Sequence, residues 1–281
     1  MMVKRITVRR IIDKLVASLA LLSVIVAIIP LAGVIIFVTL KGLPAINLEF
    51  FTSLPRPPDE IGGGIGNAIQ GSLILIGLAS MVGLPVGVLS GIYLAEYGNN
   101  IFGSLVRFIA DTLSGVPSII MGLFAYVLVV LATRSFSAIS GGIALGIMMI
   151  PVITRTTEES IKLVPNTIRE ASMALGVRRW KTILLIVLSA ARSGIITGIM
   201  LSIARIAGET APLLFTAFGS DLWATGLNQP VSALPLVIYR YAISPYANWQ
   251  TQAWGAAFIL VTMVLILNIG VRLIARSKYR R

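Results

Sequence analysis

Arg205 and Glu209 form the residue pair whose types and spacing could do chemistry in this chain. Four positions apart, they would share one helix face and could meet. Their surroundings are apolar, and charge in such a segment is expensive and normally faces a polar path or a partner. One reading is a mutually neutralising ion pair that locks two helices. The other is an anion site, in which the planar fork of Arg205 matches an oxyanion. Glu209 would then keep the anion from being held too tightly. Asp111, Ser114 and Ser118, at i, i+3 and i+7, make a second polar stripe that either lines a path or bonds back to its own helix. Glu158 and Glu159 read as ordinary solvated loop charges. The chain has no Cys and no His, which excludes thiol and disulfide chemistry and the commonest metal sites.

The elements that must position these residues are apolar runs. Of 281 residues, 57% are hydrophobic and 12% charged, the composition of a membrane protein. The expected fold is all-α, with six transmembrane helices at 15–40, 69–94, 108–132, 139–153, 183–206 and 253–275. Residues 1–14 are a basic terminus. The first run is longer than the roughly 7–15 apolar residues of a signal peptide, so it reads as a retained span. The fourth is short for about 30 Å of hydrocarbon unless Thr154 and its neighbours extend it. Gly83, Gly87 and Gly91, and again Gly142 and Gly146, recur every four residues and predict close helix approach. The segment 41–68, with its run Gly62–Gly66, lacks phosphate-loop spacing and reads as a flexible external loop. Trp223, Trp249 and Trp254 fit an interfacial belt in contact with lipid.

The net charge of +12 would point to nucleic acid in a soluble chain; here it reflects basic loops on one side of a membrane, and no nucleic-acid partner is expected. Seventeen basic residues fall in residues 1–14, around Arg107, in 155–182 and from Arg272 to Arg281. Only Lys41, Arg56, Arg134 and Arg240 fall on the other side. Positive-inside asymmetry makes both termini and the 155–182 loop cytoplasmic.

Within that loop, Thr167 and Glu170 have capping-box spacing, and Gly176 can end a helix in the left-handed conformation. Ile168, Ala171, Ser172 and Leu175 then share a narrow face, which suits either a membrane-surface helix or docking to a partner. Gly176 through Thr182 lacks the glycine before Lys181 that a Walker A run needs, so ATP binding by this chain is not expected.

The spelling Glu170-Ala171-Ser172, three residues, Gly176, nine residues, Ile186-Val187-Leu188 resembles the Glu-Ala-Ala loop of binding-protein-dependent ABC importer permeases. Ser172 and Ser189 depart from that pattern. Gly91–Gly98, Asp111–Ser118, Arg155–Glu159, Arg169–Gly176 and Arg205–Thr216 together resemble the A-type permease subunit of phosphate ABC importers. That resemblance implies a type I importer fold and no enzymatic activity in this chain. It also implies a second permease, expected as a heterodimer, a dimer of ATP-binding subunits that hold ATP and Mg, and an extracytoplasmic phosphate-binding protein. Glu170, Ala171, Ser172, Leu175 and Gly176 would couple to the ATPase. Arg205, Glu209, Asp111, Ser114 and Ser118 would line the substrate path. A permease for another oxyanion is the alternative closest in kind. A gradient-driven anion transporter is a further one, disfavoured by the coupling spelling and by the lack of paired, inverted broken helices.

Overall fold

The computed structural model of the chain describes residues 2–58, 60 and 62–277. The basic residues Lys278, Arg280 and Arg281 of the expected cytoplasmic tail lie outside the described residues. The helices, in order, are α1 (Met2–Gly42), α2 (Leu48–Thr52), α3 (Gly66–Glu96), α4 (Ile101–Gly115), α5 (Ser118–Ala125) and α6 (Leu131–Thr133). They continue with α7 (Ala138–Lys162), α8 (Asn166–Ala174), α9 (Arg179–Lys181), α10 (Leu188–Ala207), α11 (Ala211–Thr216), α12 (Leu234–Ala242) and α13 (Ala247–Ser277). Among the described residues, five helical rods are long and apolar enough to cross a membrane, and the α4–α6 segment, bent by 110°, makes a sixth if it counts as one span. α9, a π-helical stretch at Thr182–Val187 and α10 form one such rod, Arg179–Ala207.

The centre of the fold is α3 laid parallel to α7. A Cβ on Gly83 would come within 2.7 Å of Met149 Cβ, and one on Gly87 within 2.7 Å of Ile153 Cβ. On Gly91 it would come within 2.5 Å of Thr157 Cβ. Both partners advance by four residues at each step, so the two helices run in the same direction and in register. Gly142 and Gly146 answer from α7, against Leu78 and Val82. Lipid tails are as apolar as side chains, so spans associate through close packing rather than hydrophobic expulsion, and small residues permit it. On another side of α7, side chains on Gly194 and Gly198 would collide with Ser160 and Thr156 respectively. There the numbers rise on one helix and fall on the other, so α10 is antiparallel to α7. Leu75, Ala79, Leu145, Met149, Ile153, Ile206 and Leu213 are buried in the core these helices share.

Three features differ from expectation. The third span is not continuous: α4 and α5 meet at 110°. Pro117 lacks an amide proton and holds Val116 out of the helical region, at φ −71 and ψ 132, as a residue before proline prefers. The fourth span runs on through Thr154 to Lys162, so Arg155–Lys162 are helical and the loop proper is shorter than 155–182. The Gly62–Gly66 run is pinned rather than flexible. Gly62 and Gly63 take left-handed φ of 98 and 84; the Gly63 amide donates to Glu49 Oε1 and the Gly62 carbonyl accepts from Gln252.

Candidate functional site

Arg205 sits in the last turn of α10. That helix closes on Gly208, whose amide donates back to the Arg205 carbonyl, and α11 restarts at Ala211 with Pro212 in its first turn, where a missing amide costs nothing. Glu209 therefore lies in a helix break and not on a continuous helical face. Its Oε1 stands 4.0 Å from Arg205 Nε, with the arginine side chain 44% and the glutamate 18% exposed. The antiparallel register set by Gly194 and Gly198 places Arg205 level with Met149, near the middle of α7. A guanidinium paired this loosely, level with the middle of α7, can accept an oxyanion without first breaking a tight bidentate bridge.

Asp111 and Ser118, expected on one stripe, are separated by the α4–α5 bend. Ser114 Oγ donates to the Ala110 carbonyl at 2.9 Å, the back-bonding alternative. Asp111 is exposed and pairs with Arg155 Nε at 2.9 Å. Arg155 in turn reaches Glu158, and here the expectation of a solvated charge is corrected. Glu158 is buried, and its carboxylate accepts from Arg107 at 2.6 Å, Arg155 at 2.8 Å and Lys162 at 2.6 Å. Arg107 uses its remaining donors on the Leu94 and Gly98 carbonyls. One buried acid thus joins the end of α3, the middle of α4 and the end of α7. Two of its partners were legible as i−3 and i+4 neighbours on a helix; Arg107, fifty-one residues away, was not.

The second built region is the loop around α8. Its helix starts at Asn166 after Pro165 and has no side-chain cap, so the Thr167–Glu170 capping box does not form: Thr167 is already inside the helix. Gly176 does take the left-handed conformation, at φ 78. Ser172, the small residue at the third position of the motif, is buried and shares a 2.8 Å hydroxyl contact with Thr182. Arg169 donates through Nε and a terminal nitrogen to Glu96 Oε1 at 3.0 and 2.8 Å. Its other donors go to the Val164 and Ile161 carbonyls. Arg179 bonds the Glu96 carbonyl and stacks over Tyr97. The loop is bolted to α3 from inside while Leu175, 84% exposed, Met173, Glu170 and Ala171 face outward. Of the expected apolar face, only Ser172 turns inward.

Comparison with known proteins identifies the family and the fold. Residues 83–280 match the family described as binding-protein-dependent transport system inner membrane component. The phosphate transport system permease protein PstA of Yersinia pestis is 47% identical over 239 residues, covering 85% of this chain and 81% of the relative. That of Haemophilus influenzae is 43% identical over 267 residues, covering 95% and 94%. Among solved structures, a bacterial alginate ABC transporter in complex with its alginate-bound periplasmic protein superposes with a TM-score of 0.62 at 15% identity, covering 96% of this chain and 95% of that one. An inward-facing MetNI methionine ABC transporter gives 0.58 at 20% identity, covering 77% and 95%. The chain belongs to the binding-protein-dependent transport system inner membrane components and, within them, to the PstA phosphate transport system permeases.

Proposed function

We propose that the chain is one permease subunit of an ATP-driven phosphate importer of the cytoplasmic membrane. The observation that carries this reading is the α8 loop, fixed to α3 by buried bonds and presenting Leu175 and Met173 to solvent, as a surface built to be pushed would be. The names of the relatives support phosphate as the substrate. In this reading the loop docks on a separate ATPase dimer that holds ATP and Mg, a second permease completes the channel as a heterodimer, and an extracytoplasmic binding protein delivers the anion. The basic asymmetry supports both termini and α8 on the cytoplasmic side. Arg205 contacts the anion in the substrate path and Glu209 tunes its release. Asp111, with Ser114 and Ser118 flanking the α4–α5 bend, sits further along the path.

The deciding experiment is uptake of labelled phosphate into vesicles containing this chain, its partner permease and the ATPase. Uptake should require ATP and the binding protein. Uptake driven by an ion gradient alone would replace this reading with that of a secondary transporter. The two interrupted segments do not favour that rival: α4 runs antiparallel to α7, as Arg107–Glu158 and Asp111–Arg155 show, and so does α10, so the first halves of the two are parallel and not an inverted pair.

A further inference from the structure

One face of α10 carries polar residues that the Arg205–Glu209 pair does not use. Arg192, Ser193 and Thr197 line, with Asn268 of α13, a cavity of ≈ 710 Å³ between the two helices. Ser193 and Thr197 also border an adjoining cavity of ≈ 310 Å³, which they share with Thr156, Glu159 and Ser160 of α7. The register with α7 sets Arg192 level with Lys162, at the α8 end of the bundle. Arg205 lies thirteen residues further along the same rod, about 20 Å away at 1.5 Å per residue. Polar side chains gathered on one face of a span belong to a water-filled path or a partner rather than to lipid tails.

We propose that Arg192, Ser193, Thr197 and Asn268 form a second anion site, an inner station between Arg205 and the cytoplasm. The inference rests on the phosphate-import reading and deepens it. The guanidinium, the Ser193 hydroxyl and an amide supply donors for a phosphate-like oxyanion, while Thr197 Oγ1 donates back to the Ser193 carbonyl at 2.8 Å, and Arg192 supplies the only positive charge among the residues lining the cavity. The space is many times the roughly 30 Å³ that one water occupies in the liquid, so the anion there keeps most of its hydration. Such a site acts through charge and not through the fork geometry that a dehydrated anion demands. Weak holding suits an exit, because conduction needs sites that release as readily as they bind.

The chain has no cysteine, so Ser193→Cys gives a single reporter in the assembled transporter, provided the partner chains are cysteine-free. In liposomes with the ATPase accessible, a membrane-impermeant maleimide should reach it from the cytoplasmic side, and inorganic phosphate should slow labelling severalfold. Adding Arg192→Gln should abolish that protection, and Arg192→Lys should retain it. A reporter that stays unlabelled, because lipid or a partner helix covers the face, overturns the inference. So does labelling at the same rate with and without phosphate while Arg192 is present. Phosphate uptake by the unsubstituted assembly separates the two failures. If uptake is absent, the import reading itself falls; if uptake is present and labelling is insensitive to phosphate, only the inner station does.

Discussion

Arg169 in the middle of α8 holds Glu96, the last residue of α3, through two nitrogens on one carboxylate oxygen, with the glutamate 5% and the arginine 16% exposed. Breaking one half of such a buried pair typically costs about 3–5 kcal/mol, because the other charge is left without compensation. Glu96→Gln should therefore loosen the α8 loop while leaving the spans intact. The expected outcome is ATP hydrolysis that no longer responds to phosphate and the binding protein, at near-normal membrane levels. Phosphate-stimulated hydrolysis equal to the unsubstituted protein would show that the bond is dispensable to coupling.

Glu158 holds three cations at once, so its removal is more damaging than the loss of any one of them. Glu158→Gln should lower the melting temperature of the purified assembly more than Lys162→Gln does, since the lysine is half exposed and exposed pairs contribute at most about 1 kcal/mol. Equal melting shifts for the two variants would contradict the hub.

The α3–α7 contact leaves no room at Gly91. Gly91→Leu should cost about 1–3 kcal/mol or more by overpacking against Thr157, with Gly91→Ala intermediate. A Cβ on Gly77 would meet no neighbouring atom within 4 Å, so Gly77→Leu is the matched control and should be well tolerated. The measurement is thermal stability in detergent, and a Gly91 series no worse than Gly77→Leu would rule out tight packing there.

Arg205 and Glu209 are distinguished by the double substitution. If Arg205 handles the anion, Arg205→Gln abolishes uptake, Arg205→Lys rescues it partly, and adding Glu209→Gln to the glutamine variant restores nothing. A purely structural pair predicts recovery in the double variant, because no unpaired charge remains. The 4.0 Å separation already makes it a weak lock. Uptake at matched membrane levels decides between the two.

Much of the architecture was legible because apolar length and small-residue spacing act locally. The Gly83–Gly87–Gly91 stripe and the left-handed Gly176 are examples. Local spacing fails where a partner is remote. Nothing near Glu158 announces Arg107, and nothing near Arg169 announces Glu96, seventy-three residues earlier in the chain. It also failed at Pro117, where an unbroken apolar run hid a bend that the proline enforces. Ser172 is a related lesson: its small side chain suits close approach, but the approach is to Thr182 of the same chain.

The glycine seam between α3 and α7 has a mechanical consequence. Two helices interlocked at five points cannot slide past each other by less than a full turn without collisions, so they tilt as one beam. Its α3 end is fastened to the α8 loop through Glu96, and the far end of α7 is fastened through Ser137 and Ser140 to the Thr216 carbonyl of α11. α7 alone has 25 residues, about 37 Å at 1.5 Å per residue, and a tilt of about 5° moves one end relative to the other by about 3 Å. A small stroke at α8 would thus arrive undiminished at the short helix that follows Glu209.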